Sequence, residues 1–416
     1  MWAALESLVV GDPQATAPPS PGPGLFDPGE IGGVKFRNRF VRSAVSETFA
    51  DDRGVIRLPE YRDFYARLAA GGCGLLFTGH CFVEIQGRYS PGMSGMASRE
   101  SAAAFESVTA AVHERGARIF AQLNHAGSQS RMPDVKRIAP SAVDNAQTGR
   151  TPVEASTSDI RRVIDAYRTA AANVRSAGFD GVHLHAGHGY LLSSFLSPYS
   201  NRRTDEWGGP LENRQRMILE VVRAVKEGAG DLPVTIKLGM RDFVPGGLQL
   251  EDAIGTAQAL TDEGVAAIEV SAGITSPIIE TTQKYTAVTK RRAFEDGLVH
   301  RLLASTPPEG YFIAEARALR GAVSCPLIVV GGLRTVEFME SVLRNGVADF
   351  VSLGRPLIRE PDLVNSIRAG RRGLVDCTSC NICMMHEGTH ALRCWRKSKR
   401  LLAAHAVYRL SGRLMY

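Results

Sequence analysis

The chain has 416 residues, 44% of them hydrophobic and 22% charged, which is the composition of a globular protein with room for one large α/β domain or two smaller ones. Seven cysteines are too few for a disulfide scaffold and no apolar run is long enough to cross a bilayer, so we expect a cytoplasmic protein without a transmembrane segment. The net charge of +6 does not indicate nucleic-acid binding, because residues 393–416 hold seven of the 49 Lys and Arg and none of the 43 Asp and Glu, which leaves the rest near neutral.

The chain begins with a segment rich in Pro, Ala and Gly. This segment carries Glu6 and Asp12 and no basic run, so it lacks the pattern of a signal peptide, and we expect a disordered leader over residues 1–24. Short apolar runs then follow, each ahead of a segment with helical periodicity. The predicted strands are 39–44, 74–79, 118–123, 181–185, 234–238, 267–271, 326–332 and 349–354.

These strands are apolar nearly throughout, as expected for parallel strands that are covered on both faces. The predicted helices are 59–71, 98–115, 158–177, 211–229, 251–263, 309–321, 335–345 and 359–369. Eight β/α units in roughly 350 residues predict a (β/α)8 TIM barrel over residues 25–371. An open doubly wound sheet is the alternative, but it would usually show a glycine fingerprint after its first strand, and none is present. Residues 372–416 form a Cys-rich, basic extension.

Glycines follow the seventh and eighth predicted strands. Gly331 and Gly332 end the seventh strand, Gly354 ends the eighth, and Arg355 comes directly after it. Barrels commonly hold a phosphate after these two strands, where glycine lets backbone N–H groups approach an anion and arginine adds a forked donor. The pattern predicts a phosphorylated ligand, although turns also use glycine for conformational reasons alone.

The fourth predicted strand ends in HLHAGHGY (183–190), with three histidines and a tyrosine. A His-x-His pair on a barrel strand can bind a metal, but the other strand ends lack a supporting set of His and Asp residues. The longer run HAGHGYLLSSFLSPYSNRRTDEWGGPLENR (185–214) resembles the Old Yellow Enzyme family of FMN-dependent oxidoreductases. Four further segments resemble other motifs of that family in the expected order: FRNRFVRSAVSET (36–48), AQLNHAG (121–127), VVGGL (329–333) and SLGRPLI (352–358).

The resemblance implies a barrel that binds FMN across its strand ends and takes electrons from NAD(P)H. The positions that match the cofactor contacts of the family are Ala44, Val45, Ser46, Gly79, Gln122, Lys237, Gly331, Gly332, Gly354 and Arg355. Gln122 is expected at the pyrimidine edge of the flavin, and Lys237 near flavin N1 and O2, where its charge would tune the potential of the cofactor. The last four residues of the set match the phosphate site.

The same resemblance implies the catalytic roles. His185 and His188 match the positions that bind the carbonyl oxygen of the substrate, and Tyr190 matches the position that protonates the substrate carbon. Two imidazole N–H donors suit an oxygen on which negative charge collects, and a phenol with a pKa of about 10 can deliver a proton. His183 stands where the family usually has a carboxylate, and we expect it to be a core histidine with satisfied hydrogen bonds.

These roles predict an NAD(P)H-dependent ene-reductase that acts on a small α,β-unsaturated carbonyl compound. Two alternatives stay open: oxidation of an amine such as an N-methyl group, and a flavin redox relay to an electron-transfer partner. Larger relatives continue into a second flavin- and nucleotide-binding region. No second glycine fingerprint is present here, so we expect NAD(P)H to reduce the FMN directly, with ping-pong kinetics. A homo-oligomer is compatible with the sequence.

Four cysteines lie within 18 positions of one another, in CTSCNICMMHEGTHALRC. Cys377, Cys380, Cys383 and Cys394 follow a C-x2-C-x2-C-x10-C pattern, in which three cysteines can reach three corners of a [4Fe–4S] cluster and the fourth arrives from farther along the chain. The dienoyl-CoA reductase and trimethylamine dehydrogenase branch of the family has a similar segment, with one residue more in the second and third gaps. We predict a [4Fe–4S] cluster. Zinc and four free thiols are the alternatives, and a histidine of this segment could replace one ligand.

Overall fold

The computed structural model describes residues 22–145, 148–274 and 309–412. Its centre is a closed barrel of eight parallel strands: β1 (Phe40–Arg42), β2 (Leu75–Phe77), β3 (Arg118–Asn124), β4 (Gly181–Ala186), β5 (Val234–Gly239), β6 (Ala267–Ser271), β7 (Leu327–Val330) and β8 (Phe350–Leu353). Each strand pairs with the next, and β8 pairs with β1 to close the ring, with Leu353 opposite Arg42. The predicted (β/α)8 barrel is confirmed, and the open sheet is wrong.

Outer helices follow the strands: α1 (Glu60–Ala70), α2 (Glu106–His113), α3 (Thr157–Ser176), α4 (Arg216–Ala229), α5 (Leu250–Asp262), α6 (Ile313–Arg320), α7 (Val336–Arg344) and α8 (Leu363–Arg368). The start of α3 is set by a capping box, in which Ser156 and Asp159 each accept a hydrogen bond from the backbone N–H of the other. In α4 the buried residues recur with helical spacing along one face, which packs on the barrel: Met217, Ile218, Val221, Val222 and Val225.

Two predicted helices are interrupted. The segment predicted at 98–115 is divided into Arg99–Ala103 and α2, and the segment at 211–229 into Leu211–Arg214 and α4. The first break brings Phe105 into the core, where it is 0% exposed, so tertiary packing overrides local helix propensity. Short helices also occur at Leu191–Leu196 and Arg355–Arg359.

The inside of the barrel changes character along its axis. Alternate residues of each strand point inward. At the N-terminal end they form an apolar cluster: Val41, Phe77, Phe120, Ala267, Ile328 and Phe350. Further along six of the eight strands, or just beyond the strand end, the next inward side chain is polar and buried, and we call this set the polar layer: Ser43, Gln122, His183, Lys237, Glu269 and Ser352. The polar layer lies directly below the mouth, where the strands end.

Several short elements were not predicted from the sequence. A hairpin of Gly29–Ile31 and Val34–Phe36 covers the apolar end of the barrel, with the Phe36 ring 5.7 Å from that of Phe350. Two-residue strands occur at Cys81–Phe82, Ile138–Ala139 and Val153–Glu154.

The C-terminal extension contains a short helix, α9 (Ile382–Met385), and a longer one, α10 (Lys399–Leu410). In the part of the chain that the structure describes, no helix is long and apolar enough to cross a membrane. The predicted leader falls almost wholly outside the described residues.

Candidate active site

The ends of β1, β7 and β8 surround one cleft at the mouth of the barrel, which we call the glycine cleft. Its lining includes Val45, which was predicted beside the flavin, and the predicted phosphate-site residues: Gly331, Gly332, Gly354 and Arg355. Gly331 and Gly332 have φ angles of +99° and +69°, which residues with a side chain rarely adopt, and a Cβ on Gly332 would lie 2.5 Å from the ring of Tyr311. The backbone therefore requires glycine here, and the residues from separate strands do converge.

The residues after β1 and β2 that were predicted to contact the flavin leave room for a ligand at the mouth of the barrel. Ala44 and Ser46 are half-buried in the loop after β1, on either side of the cleft-lining Val45. The N–H of Gly79 donates to Glu47 Oε1 at 2.6 Å, and a Cβ on Gly79 would overlap the other oxygen of that carboxylate. Because its N–H is already used, Gly79 offers a ligand room for close approach rather than a hydrogen bond.

Gln122 in β3 carries an unsatisfied amide. Its side chain is 1% exposed, and its Nε2 finds no hydrogen-bond partner among the residues that the structure describes. A buried polar group without a partner costs about 1–3 kcal/mol. A ligand edge that offers an acceptor would remove this cost, so the residue present fits the flavin edge that the sequence predicts there.

Lys237, the predicted cation of the site, is part of an ion pair in the polar layer. Its Nζ lies 2.6 Å from Glu269 Oε2 and 3.3 Å from Ser43 Oγ. Burial alone would raise the pKa of Glu269, but the charge of Lys237 and the hydrogen bond with His183 lower it more, so this pKa lies below its ordinary value. Glu269 is therefore ionised at neutral pH, and the site holds a carboxylate next to its cation.

His183 has its hydrogen bonds satisfied within the barrel, as expected. Its Nδ1 lies 2.9 Å from Thr235 Oγ1, its Nε2 lies 3.2 Å from Glu269 Oε2, and its ring stacks on Phe77 with centroids 3.9 Å apart. Burial lowers the pKa of His183, and the hydrogen bond with Glu269 only partly opposes this effect. His183 is a buried, neutral member of the polar layer.

His185, His188 and Tyr190 meet in one cluster at the end of β4. The ring centroid of His185 is 5.1 Å from that of His188 and 4.8 Å from that of Tyr190. The N–H of Gly187 donates to His185 Nδ1 at 3.3 Å, which places the proton of this neutral ring on Nε2. His188 has a φ of +62°, and its Nε2 lies 2.8 Å from Ser271 Oγ. The turn in the backbone brings the second imidazole back beside the first.

Burial decides the protonation of this cluster. It lowers the pKa of His185 well below its ordinary value and that of His188 to about 3, and the positive charge of Lys237 adds to both shifts. Burial also raises the pKa of Tyr190 well above its ordinary value, and Tyr89 adds to this effect. At neutral pH the cluster therefore consists of two neutral imidazoles and a phenol that keeps its proton.

Three residues of the site were missed in the sequence. The ring centroids of His80 and Tyr89 lie 5.4 Å and 5.6 Å from that of Tyr190, and burial lowers the pKa of His80 to about 4. His80 follows Gly79 directly, so its place at a strand end was a usable signal. Glu269 also left a signal, because a lone carboxylate within the apolar run AIEVS has to find a partner inside the barrel. Tyr89 comes from a loop whose position depends on the whole fold.

The four clustered cysteines line one cavity in the C-terminal extension, which we call the cysteine cavity: Cys377, Cys380, Cys383 and Cys394. Within the described ranges, no three His, Cys, Asp or Glu side chains are placed to hold a metal ion, so the predicted iron–sulfur cluster is not shown. Three residues line both this cavity and the glycine cleft, so the two share a wall: Arg355, Cys377 and Asn381.

This barrel, with its glycine cleft and polar mouth, defines the class of protein as a (β/α)8 barrel with a candidate ligand site at the C-terminal ends of its strands. The sequence model of the NADH:flavin oxidoreductase / NADH oxidase family matches residues 24–373. The chain belongs to that family, which comprises FMN-dependent NAD(P)H oxidoreductases of the Old Yellow Enzyme type.

Individual relatives agree with this assignment. An NADH oxidase of Thermoanaerobacter brockii is 33% identical over 366 residues, which cover 86% of this chain and 53% of that protein. An NADPH dehydrogenase of Geobacillus sp. is 35% identical over 338 residues, 81% of this chain and 91% of that protein. A solved morphinone reductase in complex with tetrahydroNAD has a TM-score of 0.66 at 28% identity and covers 86% of this chain and 94% of its own. The chain thus spans about half the length of the NADH oxidase.

Proposed function

We propose that this chain reduces the activated C=C bond of a small α,β-unsaturated carbonyl compound, with FMN as bound cofactor and NAD(P)H as the source of electrons. The cluster of His185, His188 and Tyr190 carries the proposal, because it gathers three neutral proton-bearing groups at the mouth of the barrel. Family membership supports both cofactors, and the related morphinone reductase binds a nicotinamide analogue, tetrahydroNAD. Bound FMN would supply hydride transfer to the β-carbon of the substrate.

The residues at the mouth fit FMN. Gly331, Gly332 and Gly354 would leave room for its phosphate, and Arg355 would balance the phosphate charge with a forked donor. Gln122 would pair with the pyrimidine edge through the amide nitrogen that lacks a partner in the described structure. The loop residues Ala44, Val45 and Ser46, with Gly79, would pack beside the flavin, and Lys237 would lie near its N1 and O2 atoms.

His185 and His188 would donate hydrogen bonds to the carbonyl oxygen of the substrate. Negative charge collects on that oxygen when the alkene accepts a hydride, and donors that are already in place stabilise it without reorganisation. His185 is held as a donor, because its other ring nitrogen accepts the N–H of Gly187. Tyr190 would then protonate the α-carbon, since its raised pKa keeps the phenol protonated at physiological pH.

These donors suit a carbonyl better than an amine, which would present its own N–H groups or a positive charge to His185. Amine oxidation is therefore the weaker candidate. The flavin redox relay, an electron-transfer partner, a homo-oligomer and the cytoplasmic location stay predictions from the sequence.

An anaerobic titration of the purified protein tests the proposed function. Denaturation should release FMN rather than FAD. NADH or NADPH should bleach the flavin absorbance, cyclohexenone should restore it, and a tertiary amine should leave the oxidised protein unchanged. A colourless protein that cannot be reconstituted with FMN would contradict the cofactor assignment. Reduction by the amine together with no turnover of enones would favour amine oxidation instead.

We also propose that the four clustered cysteines bind a [4Fe–4S] cluster. Burial raises the pKa of Cys383, and the thiols of Cys380, Cys377 and Cys394 raise it further, so the other three thiols are within electrostatic reach of Cys383. One zinc ion would draw four sulfurs to about 3.8 Å from each other, given Zn–S bonds of about 2.3 Å. A cubic cluster is larger and spreads its four thiolate ligands farther apart, and the C-x2-C-x2-C spacing lets three cysteines reach three of its corners.

Iron and sulfide analysis after anaerobic reconstitution tests the cluster. We expect about four of each per chain, lost in a Cys377→Ala/Cys380→Ala variant. The control is Cys325→Ala, because Cys325 is a buried free cysteine that lies elsewhere in the fold. Stoichiometric zinc, or neither metal in the reconstituted protein, would contradict this proposal.

A further inference from the structure

The polar layer contains one carboxylate, that of Glu269, which contacts residues of β4, β5 and β8 and one residue just after β1. Glu269 on β6 is 0% exposed. Its Oε2 lies 2.6 Å from Lys237 Nζ on β5 and 3.2 Å from His183 Nε2 on β4. Its Oε1 accepts hydrogen bonds from Ser43 Oγ, just after β1, at 3.0 Å and from Ser352 Oγ on β8 at 2.7 Å. Each oxygen therefore has two partners, and the carboxylate is held from several sides.

We propose that Glu269 is a positioning residue that holds Lys237 beneath the N1–O2 edge of the flavin and sets the redox potential of bound FMN. This inference rests on the proposed FMN site. A lysine ammonium is a compact charge on a flexible four-carbon stem, so its position depends on its partners. Among the residues that the structure describes, Lys237 has two partners, Glu269 and Ser43, and Ser43 itself donates a hydrogen bond to Glu269. The carboxylate thus holds the ammonium both directly and through a hydroxyl.

The energetics of buried ion pairs favour a role in function over one in stability. Moving two charges out of water carries a large desolvation cost, and their mutual attraction often no more than offsets that cost. A well-packed apolar pair would serve the fold as well. The ion pair also changes the field at the mouth of the barrel. A lone lysine would present a full positive charge to the cofactor, whereas Lys237 with Glu269 presents an oriented pair of opposite charges.

His183 helps to hold the Glu269 carboxylate in place without adding a second positive charge. Its ring is neutral, stacks on Phe77, and bonds Thr235 through one nitrogen and Glu269 through the other. Because His183 and Glu269 meet across one hydrogen bond inside the barrel, an exchange of the two residues would keep a carboxylate and an imidazole in the same contact.

Midpoint potentials of the FMN-loaded protein test this inference without reference to turnover. Removal of the negative charge in Glu269→Gln should favour the more negative, reduced cofactor. We expect at least a tenfold shift of the oxidised–reduced equilibrium toward reduction, which for a two-electron couple is an increase of about 30 mV. The exchange variant His183→Glu/Glu269→His should return the potential toward the wild-type value, because it restores the charge within the network.

The control is Asp180→Asn, which removes a carboxylate at the opposite end of the barrel, where Asp180 pairs with His113 and Arg118. It should leave the potential unchanged. The inference would be overturned if Glu269→Gln changed the oxidised–reduced equilibrium constant by less than threefold. It would also be overturned if the midpoint potential of this variant were lower than that of wild type. If that variant does not fold, the exchange variant decides: a wild-type potential supports the inference and a shifted one overturns it. A wild-type protein that binds no FMN would instead refute the proposed function.

Discussion

Replacement of Tyr190 by Phe removes one oxygen from the active-site cluster and keeps the ring that packs there. The ring lies 4.8 Å from His185 and 5.6 Å from Tyr89, and a phenyl group preserves both contacts. The substitution should therefore test proton delivery rather than folding. Positioned general acids contribute about 10²- to 10⁴-fold in rate, which corresponds to about 2.7–5.4 kcal/mol of transition-state stabilisation.

Anaerobic stopped-flow measurements separate the two halves of the reaction. We expect Tyr190→Phe to leave the reduction of bound FMN by NAD(P)H within about twofold of wild type. Reoxidation of the reduced FMN by cyclohexenone should slow by at least about 10²-fold, because only this half-reaction requires proton transfer to a carbon atom of the substrate. Since burial raises the pKa of Tyr190 above its ordinary value of about 10, the wild-type oxidative half should show no loss from phenol ionisation below about pH 10.

The matched control is Tyr89→Phe, the same change in the neighbouring ring of the cluster. Tyr89 contacts Tyr190 but has no assigned role in proton transfer, so both half-reactions should stay close to wild type. Equal defects in the two variants would mean that the cluster needs hydroxyls for packing or solvation. A normal oxidative half-reaction in Tyr190→Phe would refute the assignment of this residue as the acid.

Three further predictions follow from the same geometry. A His185→Ala/His188→Ala variant should lose at least about 10²- to 10³-fold in the rate of enone reduction and the charge-transfer band with bound phenols, and a normal band would refute the oxyanion role. The control Gly346→Ala should lose roughly 1–2 kcal/mol of stability because of its positive φ, and Gly332→Ala should lose more, because its Cβ would also lie 2.5 Å from the ring of Tyr311. Only Gly332→Ala should also weaken FMN retention in equilibrium dialysis. Finally, the pKa of Glu269 is lowered in the folded state, so its contribution to stability is present above its unfolded value of about 4.3 and is lost as the pH falls below it. Thermal unfolding of Glu269→Gln should therefore depend less on pH in that acidic range, and an unchanged profile would count against this linkage.

The barrel was predictable because its signals are local and repeated. All eight predicted strands are present, since each is an apolar run ahead of a helical segment and only a closed parallel sheet covers them on both faces. The hairpin at the closed end was missed because its strands of three residues are too short to show a period. The broken helix before β3 was missed because Phe105 is drawn into the core by residues far away in sequence.

The grouping of His185, His188 and Tyr190 was predictable for a related reason, since the three residues lie within six positions of one motif. The network around Glu269 was not, because its members come from five separate parts of the barrel and only the register of the strands brings them together. Lys237 could be assigned a charge from the sequence, but the field that it exerts depends on a partner 32 positions away. The sequence therefore indicated the chemistry of each group, while the structure was needed to show which groups interact.

The barrel and the C-terminal extension differ in sequence pattern, but hydrogen bonds join them in the folded chain. The N–H of Val375 donates to the carbonyl of Arg334 at 2.9 Å, and that of Leu392 to the carbonyl of Glu47 at 2.8 Å, so the extension is bonded to loops at two sides of the mouth. Arg355 adds an electrostatic link, because it lines the glycine cleft while its charge lowers the pKa of Cys377 and Cys383 against the effect of burial. A phosphate on one side and thiolates on the other would compete for the same guanidinium. The glycine cleft and the cysteine cavity therefore share one cationic side chain, and a negative charge bound in either would act on the same guanidinium.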